Sequence, residues 1–238
     1  MITPEISIII PCYNEIDNIN PTIDLLHESL NGIEWESIFV DDMSPDKTIE
    51  AIRRRASTDP RVRGILRLNR RGLSSAAIEG MLSSSATYVA VMDGDLQHDT
   101  NCLREMLHSI KNNNFDIIVA SRNISGGSNS GLSSPFRKFL SKYGNLTISL
   151  FAFRIKDPMS GFFLMRQNDF EKISPRLSGR GFKILLDILL NVNSDFRVKE
   201  IPMKFKDRLY GESKLNMKVI YYIFYSIIHS KIGKFYAK

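Results

Sequence analysis

The sequence predicts an α/β fold in which helices cover both faces of a mainly parallel β-sheet. Short apolar runs rich in β-branched residues alternate with helix-like segments through the first half of the chain. Strands separated in this way by single helices usually pair in parallel through βαβ units. The 238 residues, of which 43% are hydrophobic, are enough for one compact domain with its own core.

The predicted elements follow one another at regular intervals. We predict strands at residues 6–10, 37–40, 62–68, 88–92 and 116–120, and helices at residues 19–30, 48–55, 74–84 and 102–112. After residue 120 we expect a Ser-, Gly- and Asn-rich loop at 124–134, a basic amphipathic helix at 136–153, strands at 161–165 and 197–201, and a helix at 182–191. Ligands of such sheets bind beyond the carboxyl ends of the strands, so the residues after each strand are of most interest.

Charge is unevenly distributed along the chain, whose net charge is +6. Residues 1–116 hold 11 Lys and Arg against 18 Asp and Glu, whereas residues 117–238 hold 21 against 8. The basic second half favours an anionic partner such as a phosphate or a lipid headgroup, with a solvated basic face as the alternative. The two cysteines, Cys12 and Cys102, are far apart, which argues against a disulfide framework and favours a reducing cytosol.

The strand predicted at 88–92 runs directly into an acidic motif. Asp93 and Asp95 lie on either side of Gly94, and Gln97 follows two residues later. Carboxylates two residues apart on an extended chain point to the same side and repel each other unless a cation lies between them. Oxygen ligands of this kind suit Mg²⁺ or Mn²⁺. The alternative is an ordinary turn, but the position at the end of a buried strand favours a metal site.

Two earlier strands also end in polar motifs. The first is followed by Tyr13 and Glu15, and the second by Asp41 and Asp42. An aromatic ring and a carboxylate at a strand end can stack on a nucleotide base and accept its N–H groups. Each motif also has a purely structural alternative, for example Ser44 as the cap of a helix that begins near residue 45.

Six segments, in this order, resemble motifs of the dolichyl-phosphate mannose synthases, which belong to glycosyltransferase family two and have the GT-A fold. They are PCYNE (11–15), DDMSPD (41–46), GLSSA (72–76), DGDLQH (93–98), DPMSGF (157–162) and RLYGESK (208–214). The resemblance covers residues 5–216 and implies a GT-A nucleotide-sugar-binding fold. It departs from the family at Phe163, where many members have Arg, and at Met43, where Gly or Asn is common.

The resemblance implies an inverting glycosyltransferase that transfers a sugar to a polyprenyl or dolichyl phosphate, with mannose from GDP-mannose as the first expectation. A related enzyme that uses a UDP-sugar and undecaprenyl phosphate is the alternative. A lipid monophosphate has a second pKa near ~6, so its oxygen is largely deprotonated at neutral pH and needs no general base. It does need cations, because two phosphate groups meet across one anomeric carbon.

The resemblance, carried over residue by residue, implies a set of site residues inside and outside these six motifs. The donor- and phosphate-binding set is Pro11, Tyr13, Glu15, Phe39, Asp41, Asp93, Gly94, Asp95, Gln97, Arg122, Arg137, Lys183, Arg208 and Lys214. Asp93, Asp95 and Gln97 would hold Mg²⁺ or Mn²⁺. The residues that the resemblance places closest to catalysis are Asp95, Arg122, Arg208 and Lys214.

The resemblance divides the chain into a catalytic domain at 1–214, with a nucleotide-binding half at 1–122 and an acceptor-binding half at 123–214, and an amphipathic interfacial helix at 215–238. No signal peptide is recognisable, and no run reaches the ~18–20 apolar residues of a spanning helix. Basic, aromatic segments at 136–153 and 215–238 favour peripheral attachment to the cytoplasmic face of a membrane, with helices packed on the sheet as the alternative.

The partners implied are a nucleotide diphosphate sugar, a polyprenyl phosphate, an anionic membrane surface and a membrane-anchoring subunit. Nucleic acid is not expected, because the basic segments lack a recognisable nucleic-acid-binding module. Two other functions remain as alternatives. A phosphatase of the haloacid dehalogenase type also uses paired aspartates, but after its first strand. A catalytically inactive adaptor that binds sugar nucleotides at a membrane would differ from the enzyme in turnover.

Overall fold

The computed structural model of the chain describes residues 3–128, 155–181, 183–193 and 195–206. Within these ranges the strands are β1 (Ile6–Cys12), β2 (Trp35–Asp41), β3 (Val62–Leu66), β4 (Tyr88–Val91), β5 (Ile117–Ser121), β6 (Phe163–Arg166) and β7 (Val198–Pro202). The helices are α1 (Ile16–Ser29), α2 (Thr48–Ala56), α3 (Leu73–Leu82), α4 (Cys102–Asn112), α5 (Gln167–Ile173) and α6 (Ile184–Asn191), and a short 3-10 helix covers Ser174–Arg176.

The strands form one sheet in the order β3-β2-β1-β4-β6-β5-β7. Neighbouring strands are parallel except at β6, which is antiparallel to both β4 and β5. Phe163, the first residue of β6, pairs with Val91 of β4 and Val119 of β5. β6 therefore begins at the edge of the sheet where its neighbours end, and the mainly parallel sheet predicted from the sequence is confirmed.

Helices cover both faces of this sheet, as predicted. Successive residues of a buried strand point to opposite faces. Ile8 of β1 belongs to one apolar cluster with Ile23 of α1 and residues of α2 and α4. Ile9 belongs to a second cluster with Met81 of α3 and residues of α5 and α6. Because both faces are covered, the accessible backbone and side chains lie at the ends of the strands.

Some element boundaries differ from the prediction. β3 ends at Leu66 and not at residue 68, because the next side chain, Arg67, turns inward to an ion pair with Asp42. α1 begins at residue 16, three residues before the predicted start. The structural alternative for Ser44, a helix cap, is wrong, because α2 begins at Thr48, whose N–H donates to Asp46 at 3.0 Å. α5 was not predicted.

Several predicted features lie outside the described residues. These are the helices at 136–153 and 215–238, most of the loop at 124–134, the first residue of the helix at 182–191, and the side chains of Arg137, Arg208 and Lys214. Among the helices that are described, none is both long and apolar enough to cross a membrane.

Candidate active site

One edge of the sheet carries the polar motifs. β1, β2, β4 and β5 end at this edge, and β6 begins there. Parallel strands bring the segments that follow them to the same side. The motifs that begin at residues 11, 41, 93 and 157 are therefore neighbours in space, although they are far apart in the sequence.

The turn after β4 holds the three residues predicted to bind a metal ion. Gly94 lies close to β1, since a Cβ there would be 3.1 Å from Cγ2 of Ile10. Asp95 Oδ1 accepts a hydrogen bond from the Gln97 N–H at 3.2 Å. Gln97 Nε2 donates to the carbonyl of Lys206 at 2.9 Å. This bond orients the amide, whose oxygen is the atom that would coordinate a metal.

The chemistry and shape of this turn fit a hard dication. A Cβ on Gly161 would lie 2.6 Å from Oδ2 of Asp93, so the space occupied by the Asp93 carboxylate depends on a glycine opposite it. Two carboxylates and an amide oxygen are ligands suited to Mg²⁺ or Mn²⁺. Across the described ranges, this turn included, no group of three or more His, Cys, Asp and Glu side chains could hold a metal ion, so a dication here would also need the Gln97 amide oxygen and ligands from the donor.

We expect Gly161→Ala to weaken Mn²⁺ binding about 10- to 100-fold, the usual cost of disturbing a group that orients a metal ligand. The added Cβ would force the Asp93 carboxylate to move, because the 2.6 Å approach is far below van der Waals contact. Titration of Mn²⁺ in the presence of saturating GDP or UDP measures the effect. Unchanged Mn²⁺ affinity in a folded variant would show that the Asp93 position is unimportant.

Arg122, directly after β5, is held by Asp157. Its Nε and Nη2 donate to the two carboxylate oxygens at 2.8 and 2.9 Å, and its backbone N–H donates to Oδ2 at 3.1 Å. The side chains are 12% and 0% exposed. Burial acts to lower the pKa of Arg122, but the hydrogen bonds and charge of Asp157 outweigh it and raise the pKa. Arg122 is therefore a permanently charged and fixed cation.

Lys183, just before α6, is the second cation of the site. Its Nζ donates to the carbonyl of Met159 at 3.0 Å. Burial and the nearby Arg122 lower the pKa of Lys183, while Asp93 and Asp157 act in the opposite direction. Asp93 also acts to raise the pKa of Arg122. Asp93, Arg122 and Lys183 therefore share one electrostatic environment.

Tyr13, which follows the half-buried Pro11 at the end of β1, has a partner that the sequence motifs did not reveal. The Arg71 guanidinium lies 4.2 Å from the centroid of the Tyr13 ring, and its Nη2 donates to the Tyr13 hydroxyl at 2.6 Å. A base that stacks at Tyr13 would meet Arg71 as well. The position of Arg71, directly before the motif that begins at Gly72, is the signal that could have identified it.

Arg71 is held in place through Gly72. The N–H of Gly72 donates to Asp42 at 2.8 Å, and its carbonyl accepts from Nη1 of Arg67 at 3.2 Å. Arg67 is only 2% exposed and forms an ion pair with Asp42 at 3.0 Å. Burial raises the pKa of Asp42, against the Gly72 hydrogen bond and the Arg67 charge. The backbone N–H and the carbonyl of Gly72 are therefore both hydrogen-bonded beneath the candidate base site.

The other predicted nucleotide-binding residues have mainly structural contacts. Asp41 is fully buried and accepts hydrogen bonds from the backbone N–H of Ser44, at 3.1 Å, and from its hydroxyl. Glu15 accepts from Asn18 at 2.6 Å at the start of α1. Phe39 is 1% exposed, lies in the core and is paired with β1 and β3 on either side.

Comparison with known proteins places these motifs in a family. The sequence profile of Glycosyl transferase family 2 matches residues 7–174. A dolichol-phosphate mannosyltransferase from Pyrococcus furiosus is 39% identical over 222 residues, which are 91% of this chain and 61% of that protein. One from Saccharomyces cerevisiae is 34% identical over 224 residues, which are 91% of this chain and 83% of that protein. The chain thus spans less than two thirds of the Pyrococcus protein.

Solved structures agree with the fold. Glucosyl-3-phosphoglycerate synthase from Mycobacterium tuberculosis, in complex with Mn²⁺, UDP and glucosyl-3-phosphoglycerate, superposes with a TM-score of 0.68 at 14% identity over 97% of this chain and 79% of that chain. The same enzyme in complex with Mg²⁺ and UDP gives 0.68 at 15% identity, again over 97% and 79%. At this identity the likeness establishes the fold alone, and the GT-A-like fold expected from the resemblance is confirmed.

Proposed function

Because the chain belongs to glycosyl transferase family 2, we propose that it transfers a sugar from a nucleotide diphosphate to the phosphate group of a polyprenyl lipid. Mannose from GDP-mannose is the first donor to test, since relatives that are 39% and 34% identical are named dolichol-phosphate mannosyltransferases. The reaction would invert the anomeric centre through a single in-line displacement.

One observation carries this proposal most directly. Two cations, the fixed Arg122 and the half-buried Lys183, lie close enough to Asp93 for its charge to influence both. The turn after β4, which suits a dication, thus lies beside two cationic side chains that suit a phosphate. A transferase whose acceptor is a sugar hydroxyl needs a general base, whereas an acceptor phosphate needs neutralisation of its charge.

The proposed role of each residue follows from its position in the site. A dication held by Asp93, Asp95 and Gln97 would offset the charge that develops on the departing nucleoside diphosphate. Tyr13 offers its ring to the base, with Arg71 fixed beside it. Charge-assisted hydrogen bonds from cations are the strong contacts to phosphate oxygens. We assign this role to Arg122, Lys183, Arg137, Arg208 and Lys214.

The acceptor oxygen attacks without help from a base. The second pKa of a phosphate monoester is about 6, so this oxygen is already largely deprotonated near neutral pH. Asp157 contributes indirectly, because it fixes the Arg122 guanidinium with two hydrogen bonds at 2.8 and 2.9 Å. Fixed donors need little reorganisation as the charge shifts from one phosphate to the other.

A donor panel tests the proposal. The purified protein is incubated with polyprenyl phosphate and GDP-mannose, UDP-glucose or UDP-N-acetylglucosamine, and the lipid-linked product is measured. We expect one donor to react far better than the others and free polyprenol to be a very poor acceptor. Binding of the donor without any product would favour an inactive adaptor, and efficient transfer to polyprenol would contradict the mechanism without a general base.

We also propose that residues 215–238 bind the protein reversibly to the cytoplasmic face of a membrane. This segment combines Ile223, Phe224 and Ile227 with Lys218 and Lys234, and each lysine near an anionic surface contributes about 1 kcal/mol. An alkaline carbonate wash near pH ~11 should release the protein, because the unperturbed lysine pKa is ~10.4. Truncation after residue 214 should abolish vesicle binding but not nucleotide binding. Retention through the wash would indicate insertion instead.

A further inference from the structure

His98, the last residue of the DGDLQH motif, is buried beside Asp93. It is only 4% exposed, yet it lies on no apolar helix face and is not a predicted ligand of the metal or the donor. Both of its ring nitrogens face the same residue. Nδ1 accepts a hydrogen bond from the backbone N–H of Asp93 at 3.2 Å, and Nε2 lies 3.7 Å from Oδ2 of the Asp93 carboxylate.

This arrangement fixes the ring chemically. A neutral imidazole has one donor and one acceptor nitrogen, and the partner of one nitrogen decides which carries the proton. Because Nδ1 accepts from Asp93, the proton of the neutral ring is on Nε2, which faces the Asp93 carboxylate. Burial lowers the pKa of His98, although the charges of Asp93 and Asp95 act to raise it.

The ring is also fixed sterically, by two aromatic residues from the second half of the chain. Phe162 stacks on His98 with 5.1 Å between ring centroids and 11° between ring planes, and Phe205 lies at 5.6 Å. Phe162 directly follows Gly161, the residue whose added Cβ would lie 2.6 Å from the Asp93 carboxylate. Phe205 also lies 5.3 Å below the Arg122 guanidinium. His98 therefore has little freedom to turn away from Asp93.

A pair of hydrogen bonds ties the neighbouring residues together. The N–H of Lys206 donates to the carbonyl of Gln97 at 2.9 Å, and the side chain of Gln97 returns a bond to the carbonyl of Lys206 at 2.9 Å. The turn that carries Asp93, Asp95 and Gln97 is thus bound to the segment that carries Phe205. His98 lies between the two.

We propose that His98 is a positioning residue, which holds the Asp93 carboxylate in the orientation needed for metal-dependent donor binding. It acts through Asp93 and does not touch the donor. The Nε2–H dipole attracts the carboxylate across 3.7 Å, which is longer than a hydrogen bond. Gly161 provides the space for the carboxylate, and the aromatic pair holds the ring. Groups that orient a metal ligand commonly change metal affinity or activity 10–100-fold when they are removed. This inference rests on the proposed function, because it assumes a donor-bound metal at Asp93.

Three substitutions separate the contacts of His98. In His98→Gln, an amide nitrogen can take the place of Nε2 and face the carboxylate. In His98→Asn, the amide oxygen can take the place of Nδ1 and accept the Asp93 N–H, but nothing reaches the carboxylate. His98→Phe keeps an aromatic ring for Phe162 and removes both nitrogens. His108, which is exposed on α4, supplies the matched control His108→Phe.

The measurement is Mn²⁺ affinity at saturating GDP, or at saturating UDP if that is the better ligand, below the lowest melting temperature of the set. We expect His98→Phe and His98→Asn to weaken Mn²⁺ binding about 10- to 100-fold, with His98→Gln and His108→Phe within a few-fold of the wild type. Wild-type affinity in His98→Phe would reduce His98 to a packing role. Better binding by His98→Asn than by His98→Gln would assign its effect to the backbone contact. Either result would overturn the proposal.

The same titration separates this inference from the proposed function. If the wild-type protein binds neither GDP nor UDP with Mn²⁺, the proposed function fails first. If the wild type binds and all three His98 variants bind equally well, the proposed function stands and the positioning role alone is wrong. Binding is measured without turnover, so loss of activity from another cause does not affect the outcome.

Discussion

Replacing Asp95 with asparagine is expected to abolish sugar transfer and leave the fold intact. A neutral amide is a poor ligand for a hard dication. Asparagine Oδ1 can still accept the hydrogen bond that Gln97 donates to Asp95 Oδ1 at 3.2 Å, so the turn after β4 should keep its shape. Loss of about 4 kcal/mol of charge stabilisation corresponds to a ~10³-fold lower kcat. EDTA should inhibit the wild type, and Mg²⁺ or Mn²⁺ should restore it.

A matched control is Asp24→Asn on α1, which removes a carboxylate from a surface ion pair with Arg55 at 2.9 Å. Such exposed pairs contribute ~0–1 kcal/mol, and this variant should have normal activity. Circular dichroism and thermal melting verify that both variants are folded. Full activity of Asp95→Asn in the presence of EDTA would rule out a dication at the donor diphosphate.

Replacing Arg122 with alanine is expected to have the second-largest effect, and to act on both activity and stability. Loss of a charge-assisted hydrogen bond to phosphate costs roughly 1.5–3 kcal/mol, or about 10- to 150-fold in kcat/KM. The same change leaves the fully buried Asp157 without its cation. Breaking a buried pair in this way destabilises a protein by about 3–5 kcal/mol.

The two effects of Arg122→Ala are separated by Arg122→Lys and by a surface control. Lysine keeps the positive charge but cannot donate the two parallel hydrogen bonds of the guanidinium. Stability should therefore recover in part while activity stays low. Arg53→Ala and Arg54→Ala, at exposed positions of α2, should alter neither. Assays are run below the lowest melting temperature of the set. Equal losses of activity at all of these positions would indicate a general electrostatic effect and not a phosphate site.

Local patterns in the sequence were sufficient to predict most of the fold. The apolar runs before Pro11, Asp41 and Asp93 form strands of a sheet that is covered on both faces. Because both faces are buried, the side chains in these runs are apolar, aromatic or small. The polar residues that follow those runs lie at one edge of the sheet for the same reason, although Asp41 itself is buried there. Position after a strand therefore predicted which motifs share one edge of the sheet, without any knowledge of the contacts between their side chains.

Contacts between distant segments could not be predicted in this way. Asp157 holds Arg122 across 35 residues of sequence, and nothing in the spacing of either residue indicates the other. The same is true of His98, whose neighbours Phe162 and Phe205 come from two later segments. Such pairs depend on the order of strands in the sheet, in particular on β6 lying between β4 and β5.

Two features of the fold that the sequence did not predict have a simple physical origin. α5 contains seven residues, fewer than the window over which helical periodicity becomes distinct. The apolar run at 161–165 predicted a strand but not its direction, because side-chain alternation is the same in both directions. The antiparallel direction matters, since it brings the start of β6, with Gly161 just before it, to the Asp93 carboxylate.

Two basic residues in the second half of the chain are held in fixed positions, which the composition alone does not indicate. Arg122 is neutralised by a buried carboxylate, yet that carboxylate fixes its direction. Lys183 is held by a backbone carbonyl, with its pKa lowered by burial and by Arg122. A phosphate that enters this site would meet two cations that are already oriented. Preorganised charges of this kind stabilise a transition state more effectively than mobile surface lysines.

The most direct test is transfer of radiolabelled mannose from GDP-mannose into the lipid fraction, with polyprenyl phosphate or free polyprenol as acceptor and with or without Mn²⁺. We predict that label enters an acid-labile mannosyl phosphate lipid only when the phosphate acceptor and the metal are both present, and that Asp95→Asn gives none. Equal incorporation into free polyprenol, or incorporation that persists in EDTA, would contradict metal-dependent transfer to a lipid phosphate.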